Sequence, residues 1–435
     1  MLAPLLSGQI VVTTGTNVAL IALGLFTGSL AAHLLGPLGR GQLAAIQLWP
    51  MTAAALGSGG LLEAITYFCG RDRDHSREVV STGLGLLALL TPVLIVAGIL
   101  GMPHLLRAEP ADVIRRAQLY MFIVPILFAV NVGYGALRGR GDFRLWNPWR
   151  LSQPLGYALV LVIAIFVPSS ERVSVVAFGF MTVVAAHLAF AGWIFKHRLD
   201  GAAAFRKAYV RPLTRYGALS LNASMPAMVN QRMDQLVMGA FLPPRLLGLY
   251  AVGVTWSMAV TPLSNAFSHV ILPRLASAGE TGEANERLAW ASRIAAAAGV
   301  IVGGSFLIVT PLAVRIVFGS AFTAAIPATL VLVVAAMLLG MNQFLEEAVR
   351  GLGRPGLAAV AELAGIGITI PGLYVLLPRW GILGAAVTSL AAYAVVLAFL
   401  TVLVCRYTGL SPGALFLLRR VDLSAIHRRL RSLSS

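Results

Sequence analysis

Apolar residues run along this chain in stretches of about twenty, separated by short breaks rich in glycine, proline and charge. The runs are apolar all round rather than along one stripe, which is the pattern of helices solvated by lipid or buried deep within a bundle. They lie near 10–35, 42–69, 79–101, 116–137, 149–167, 174–195, 213–241, 246–271, 289–309, 325–350, 356–377 and 382–405. Crossing ~30 Å of hydrocarbon takes about 20 residues as helix, and only helices or closed barrels satisfy their backbone there. The pattern therefore predicts an all-α polytopic membrane protein with about 12 transmembrane helices. The connecting segments are too short to fold as soluble domains.

Composition sharpens this class. Hydrophobic residues make up 58% of the chain and charged residues 11%, and the mean hydropathy is +0.83. An ordinary soluble globule is excluded. The formal net charge of +16 would suggest nucleic acid as the partner of a soluble protein, but here it has to be counted loop by loop. The loops after runs 2, 4, 6, 8 and 10, with the C-terminal tail, hold 24 of the 33 Lys and Arg residues. Because basic loops are retained inside, both termini are expected to be cytoplasmic in a multi-pass protein of the cell inner membrane, with membrane lipids and not nucleic acid as surroundings. Met1 to Ile10 carries no Lys or Arg ahead of the first run, so a cleaved signal peptide is not expected.

The chain also repeats itself faintly. Arg138-Gly139-Arg140-Gly141 returns as Arg350-Gly351-Leu352-Gly353, 212 positions later, and Leu35, Pro37, Gly41 and Ala44 return as Leu242, Pro244, Gly248 and Ala251, offset by 207. An even helix number per copy gives both copies one orientation. The expected organisation is therefore two six-helix bundles related by a pseudo-two-fold axis along the membrane normal, spanning 1–200 and 201–410, followed by a basic cytoplasmic tail at 411–435. Ser411-Pro412 reads as the capped start of a tail helix. Beyond it, the Leu423, Ile426 and Leu430 line amid arginines suits a helix lying on an anionic leaflet.

No catalytic motif is present. There is no P-loop, no H-E-x-x-H and no G-x-S-x-G, and Cys69 and Cys405 lie too far apart to suggest a metal cluster. The reading is a non-enzyme with no cofactor, and a polysaccharide polymerase or ligase is the less favoured alternative. Polar groups inside spans carry the remaining signal. Asn230-Gln231-Arg232-Met233-Asp234-Gln235 lies within the seventh run, with Arg232 about 15 Å from its far end, near mid-bilayer. A charge at that depth costs about 2.5–3.5 kcal/mol on insertion scales. Arg232 is either an oxyanion anchor, by virtue of its planar fork, or an interhelical strut. Asn230 and Asp234 share a helix face, whereas Arg232 and Asp234 point about 200° apart. Glu63, inside run 2, is expected to be a buried carboxylate able to exchange a proton or to bond a neighbouring helix. Arg40, in the first outer turn, would guide an anionic headgroup or sit at the interface. Glu346 and Arg350 read as a solvated i, i+4 pair, and Asn131 and His187 as structural polar groups.

Several stretches resemble Wzx-type polysaccharide flippases: Leu35-Gly36-Pro37-Leu38-Gly39-Arg40-Gly41-Gln42-Leu43-Ala44 with Trp49-Pro50, Gly57 to Phe68, Arg232-x-Asp234 followed by Gly248-x-Tyr250-Ala251, Phe318-Gly319-x-x-Phe322, and Arg350-Gly351-x-Gly353-Arg354-Pro355. The resemblance implies the MATE-like fold of the MOP exporter superfamily, with a central cavity open alternately to either side. It also implies a polyprenyl-pyrophosphate-linked oligosaccharide as substrate, turned from inner to outer leaflet, and other polysaccharide-assembly proteins as possible partners. Arg232, Asn230 and Arg40 would then bind substrate, and Asp234 or Glu63 would carry a coupling ion. A MATE-like drug/cation antiporter is the main alternative.

Overall fold

A computed structural model describes residues 3–261, 281–351 and 354–418. Helix accounts for almost all of them, and no strand occurs among the described residues. The helices are α1 (Ala3–Gly57), α2 (Leu61–Arg71), α3 (Ser76–Leu105), α4 (Ala111–Tyr120), α5 (Ile123–Arg140), α6 (Phe143–Ile165), α7 (Arg172–His197), α8 (Lys207–Phe241), α9 (Pro244–Ser257), α10 (Thr281–Ala313), α11 (Ile326–Gly351), α12 (Pro355–Thr408) and the short α13 (Pro412–Phe416).

Eight of the described helical stretches are long and apolar enough to cross a bilayer. Two of them, Gly15–Gly57 with 43 residues and Gly356–Thr408 with 53, would extend ~65 and ~80 Å, twice what one crossing needs. Each is broken once, at Gly36 (φ 61°, ψ −178°) and at Gly381 (φ 53°, ψ −131°). Only glycine adopts the Gly36 geometry without steric cost. These breaks fall between runs 1 and 2 and between runs 11 and 12, so each long helix is two spans. Run 4 comprises α4 and α5. α8, with 35 residues, is long enough to cross but falls outside the apolar set, because its arginines and the 230–235 cluster dilute it. Run 8 extends past the described part of α9. The tail arginines, the 423–430 line and Leu352-Gly353 of the repeated motif also lie outside the described residues. The start of the tail helix is seen: Ser411 Oγ accepts from Ala414 N at 3.3 Å, with Pro412 at the first position.

The chain packs as two compact units, one of residues 1–255 with 314–325, the other of 256–313 with 326–435. Unit one thus takes in α8, most of α9 and the short turns Val314–Phe318 and Ser320–Ala325 in addition to α1–α7. Its links are backbone-close. A Cβ on Gly60 (φ 71°) would lie 2.1 Å from the Gly217 carbonyl oxygen of α8, and a Cβ on Gly139 of α5 would lie 2.1 Å from the Thr66 carbonyl oxygen of α2. The segment joining α7 to α8 is strapped down by polar contacts. Arg77 donates to the carbonyls of Phe195, Lys196 and Leu199, and Arg206 donates to the buried Glu78 at 2.9 Å.

Unit two is built on a core of Leu288, Ala291, Phe344, Leu345, Val396, Leu400 and Leu415. Arg293 of α10 donates to the Ala414 carbonyl at 2.9 Å, docking α13, and Asn342 of α11 donates to the Tyr393 carbonyl at 3.1 Å. Glu346 corrects the expectation of a solvated pair. It does meet Arg350 at 3.3 Å, but it is only 5% exposed and bonds to the buried Glu362 carboxyl. Close packing of α11 on α12 removes the water that the isolated helix would keep.

Candidate functional site: a polar cavity in unit one

Run 2 does not continue as one helix. It breaks at Ser58-Gly59-Gly60, where Gly60 seats on the Gly217 backbone, and α2 starts afresh at Leu61. α2 then lies along α5 at the distance allowed by small residues: a Cβ on Gly135 would be 2.8 Å from Thr66 Oγ1, and one on Gly70 would be 2.7 Å from the Gly139 carbonyl oxygen. Small residues four apart permit such approach in lipid, where dispersion rather than the hydrophobic effect holds helices together. Gly141 (φ 74°) turns the chain from α5 into α6. α2, α5 and α6 thereby converge around a cavity of about 420 Å³.

Each helix presents a stripe to this space. α2 contributes Glu63 and Thr66 at i, i+3; α5 contributes Asn131, Tyr134 and Arg138 at i, i+3, i+7; α6 contributes Trp146, Arg150 and Gln153 at i, i+4, i+7. Residues so spaced stand on one helix face. The Arg150 guanidinium lies 4.2 Å from the Trp146 ring centroid, and its Nη1 donates to Asn17 Oδ1 at 3.2 Å. Tyr134 packs on Trp149 with centroids 4.1 Å apart and donates its hydroxyl to the Trp149 carbonyl at 3.2 Å. Among the described residues, neither Arg138 nor Arg150 forms a salt bridge. Two planar cations with five N–H donors each, flanked by aromatic faces and amides, suit an anion joined to a hydroxyl-rich group.

The residues singled out in the sequence are dispersed. Glu63 lines the cavity and is exposed to it; the expected burial fails because α2 restarts at Leu61 and turns this carboxylate into open space. Asn131 is beside it, as part of the cavity wall. Asn230 and Asp234 are both buried, at 4% exposure, on one face of α8, and Arg232 is exposed away from them. Asp234 Oδ2 accepts from the Tyr250 hydroxyl of α9, and Oδ1 accepts from Gln235 N at 2.7 Å. Arg40 lies one turn past the Gly36 break with its Nε buried and without a hydrogen-bond partner. Arg40, Asn230, Arg232 and Asp234 do not line the cavity. His187 is a structural group, its ring nitrogens 2.8 Å from Ser152 Oγ and 2.7 Å from the Val183 carbonyl.

Arg138, Arg150, Tyr134, Trp146 and Gln153 were missed. In the sequence Arg138 belongs to a repeated turn and Arg150 stands among the basic residues near a helix end. The signal that could have found them is the helical spacing of polar and aromatic residues continuing through that turn on both sides.

The sequence profile of the family described as polysaccharide biosynthesis protein matches residues 5–278, more than half of the chain. Among curated proteins, the probable low-salt glycan biosynthesis flippase Agl15 of Haloferax volcanii is 27% identical over 190 residues, 42% of this chain and 40% of that protein. The uncharacterized membrane protein MJ1068 of Methanocaldococcus jannaschii is 31% identical over 99 residues, 20% of each. The matched stretches thus span less than half the length of these relatives. Of solved structures, the lipid II flippase MurJ in an inward closed conformation superposes with a TM-score of 0.76 at 11% identity, covering 91% of this chain and 86% of that one. The MATE multidrug transporter DinF-BH gives 0.63 at 15% identity, covering 96% and 97%. These likenesses show the fold: an all-α polytopic architecture like that of MurJ and the MATE transporters. Within that class, the chain belongs to the polysaccharide biosynthesis protein family.

Proposed function

We propose that the protein is a flippase that turns a polyprenyl-pyrophosphate-linked oligosaccharide from the inner to the outer leaflet by alternating access. The observation that carries this reading is the pair of guanidiniums, Arg138 and Arg150, left without salt bridges among the described residues in a cavity also walled by Trp146, Tyr134, Asn131 and Gln153. A pyrophosphate cannot enter hydrocarbon unaided, and a bidentate guanidinium is a fit replacement for its water. The aromatic faces and amides give sugar rings and hydroxyls their partners. The prenyl tail stays in lipid throughout. Arg232 serves as a further anchor along the path, with Arg40 at the outer end and Asn230 bracing α8. Coupling to an ion falls to Glu63, among the described residues the one carboxylate that lines the cavity, or to Asp234. A bound ion then biases one access state over the other.

The test is the leaflet in which the lipid-linked intermediate accumulates. Loss of the protein should leave it on the inner face. Accumulation on the outer face would instead assign a polymerase or ligase role. Glu63 beside Trp146 and Tyr134 is the feature that a MATE-like cation antiporter would also use, and drug sensitivity with surface glycan intact would select that reading.

A further inference from the structure

Three exposed residues recur along α2 at i, i+4, i+8: Glu63, Tyr67 and Arg71. The helix buries Ala64, Ile65, Phe68 and Cys69 on its other side. The exposed three share one face. Glu63 belongs to the wall of the polar cavity, so Tyr67 stands one turn, about 6 Å, further along the face that lines it. A tyrosine of an interfacial aromatic belt packs among lipid and apolar neighbours, whereas both neighbours of Tyr67 on this stripe are charged.

Tyr67 is also built into an aromatic cluster where α2 meets α8, inside unit one. Its ring stacks on Tyr216 of α8, with centroids 4.6 Å apart and planes 14° from parallel. Phe68, only 4% exposed, stands edge-on to both rings at 5.1 and 6.0 Å. Tyr216 precedes Gly217, whose backbone seats Gly60, so the α8 ring is held by a main-chain contact. The pair is thus fixed before any ligand arrives. Tyr67 nevertheless stays 44% exposed. Tyr216 covers one face of its ring, and the exposed area belongs to the remainder. Beside it, the Arg71 guanidinium lies 5.9 Å from the Tyr67 centroid and is bonded to the Asp72 carboxylate at 3.0 and 3.1 Å.

We infer that Tyr67 and Tyr216 form a stacking subsite for one pyranose ring of the cargo glycan, adjoining the arginine cavity. The inference rests on the flippase reading above and adds where a sugar lies. A pyranose is two-sided: its ring hydrogens gather on a face and its hydroxyls project from the rim. An aromatic face carries negative charge density and attracts C–H groups. The Arg71–Asp72 pair beside it offers donors and acceptors to rim hydroxyls. Arg138 and Arg150 share their cavity with Glu63 and with Thr66, the residue before Tyr67. A pyrophosphate held by these arginines therefore leaves its attached sugar at the next turn of α2. A platform that is already rigid also loses little freedom when the ring settles on it.

The test measures affinities of the full-length protein in lipid nanodiscs for two probes with the same tail. One is polyprenyl pyrophosphate; the other is its glycan-bearing form, extracted from cells that lack the protein. The parent should bind the glycosylated probe about tenfold more tightly. Tyr67→Leu, which keeps an apolar cover over Tyr216 but removes the ring face, should erase that difference and leave affinity for the sugar-free probe unchanged. Tyr216→Leu should do the same, and stands in if the first variant fails to fold. Tyr374→Leu, at a ring 84% exposed on α12, should alter neither affinity. Equal affinities of the parent for both probes overturn the subsite, as does an equal loss for both probes in the leucine variants, which would make the rings structural. A preference for the glycosylated probe that survives both substitutions overturns the subsite and leaves the flippase reading standing. Binding of neither probe by the parent overturns both. A Tyr67-dependent preference without any binding of the sugar-free probe would keep the subsite and refute the arginines as the pyrophosphate site.

Discussion

Each unit holds a hollow, and the two are chemically opposite. The cavity of unit one, about 420 Å³, is lined by two arginines, a glutamate, amides and aromatic rings. That of unit two, about 150 Å³, is lined by Ala295, Ala296, Met337, Met341, Leu397 and Phe416 and carries no charge. The carboxylates differ in the same sense. Glu63 stands open to its cavity, whereas Glu346 and Glu362 are buried against each other, 5% and 2% exposed, with Arg350 beside Glu346. Unit one keeps polar groups available at the cost of their desolvation, and unit two spends its polar groups on internal bonds. A charge without a salt bridge inside a bundle is costly to keep, whereas a closed carboxyl pair satisfies itself within the packing.

This contrast can be broken by experiment. The largest effect is expected from Arg138→Ala with Arg150→Ala: delivery of lipid-linked glycan to the outer leaflet of vesicles should fall by about 100-fold or more, since hydrogen bonds to charged groups are worth about 1.5–3 kcal/mol each. Membrane abundance should stay unchanged, and unchanged delivery would move the cargo site elsewhere. Arg232→Ala should also lower delivery, by less than the double substitution, and a parent-like rate would make Arg232 a strut. In unit two, Glu346→Ala is expected to cost about 1–3 kcal/mol of stability by breaking a buried bond, seen as a lower unfolding midpoint, with transport per folded molecule within about twofold. Lost transport at full stability would transfer ion coupling to unit two.

The smallest effect concerns pH. Glu109, in the turn between α3 and α4 outside the spans, is 6% exposed with neither carboxylate oxygen hydrogen-bonded. Burial, and secondarily the Asp112 charge, pushes its carboxyl up to about 7. The folded state therefore holds a proton that the unfolded chain releases near its ordinary value of 4.5, so this residue makes stability fall as pH rises from about 4.5 to about 7 and then level off. Glu109→Gln should raise the thermal midpoint by a few degrees at pH 8, with the gain shrinking toward pH 5. An equal gain at both pH values would remove the titration of Glu109 as its cause.

The spans were legible because lipid imposes a local rule: about twenty apolar residues must be helical wherever they occur. The breaks at Gly36 and Gly381, the Ser411 cap and the shared buried face of Asn230 and Asp234 follow from equally local geometry. The seventh span was legible despite its polarity, and the price of that polarity directed attention to Arg232 and away from the cavity arginines. Arg138 and Arg150 looked like ordinary positive-inside charge, because a sequence counts charges at helix ends without recording what faces them.

The apolar spans, the breaks at Gly36 and Gly381 and the shared face of Asn230 and Asp234 were thus set by the sequence alone, since each depends on residues within a turn or two of one another. Which helices converge, that Glu63 opens onto Arg138 and Arg150 while Asp234 is sealed by Tyr250, and that Gly60 meets Gly217 were decided by the tertiary structure. These depend on backbone approaches between helices far apart in the chain, where the absence of a single Cβ determines whether two carbonyl-bearing surfaces can touch.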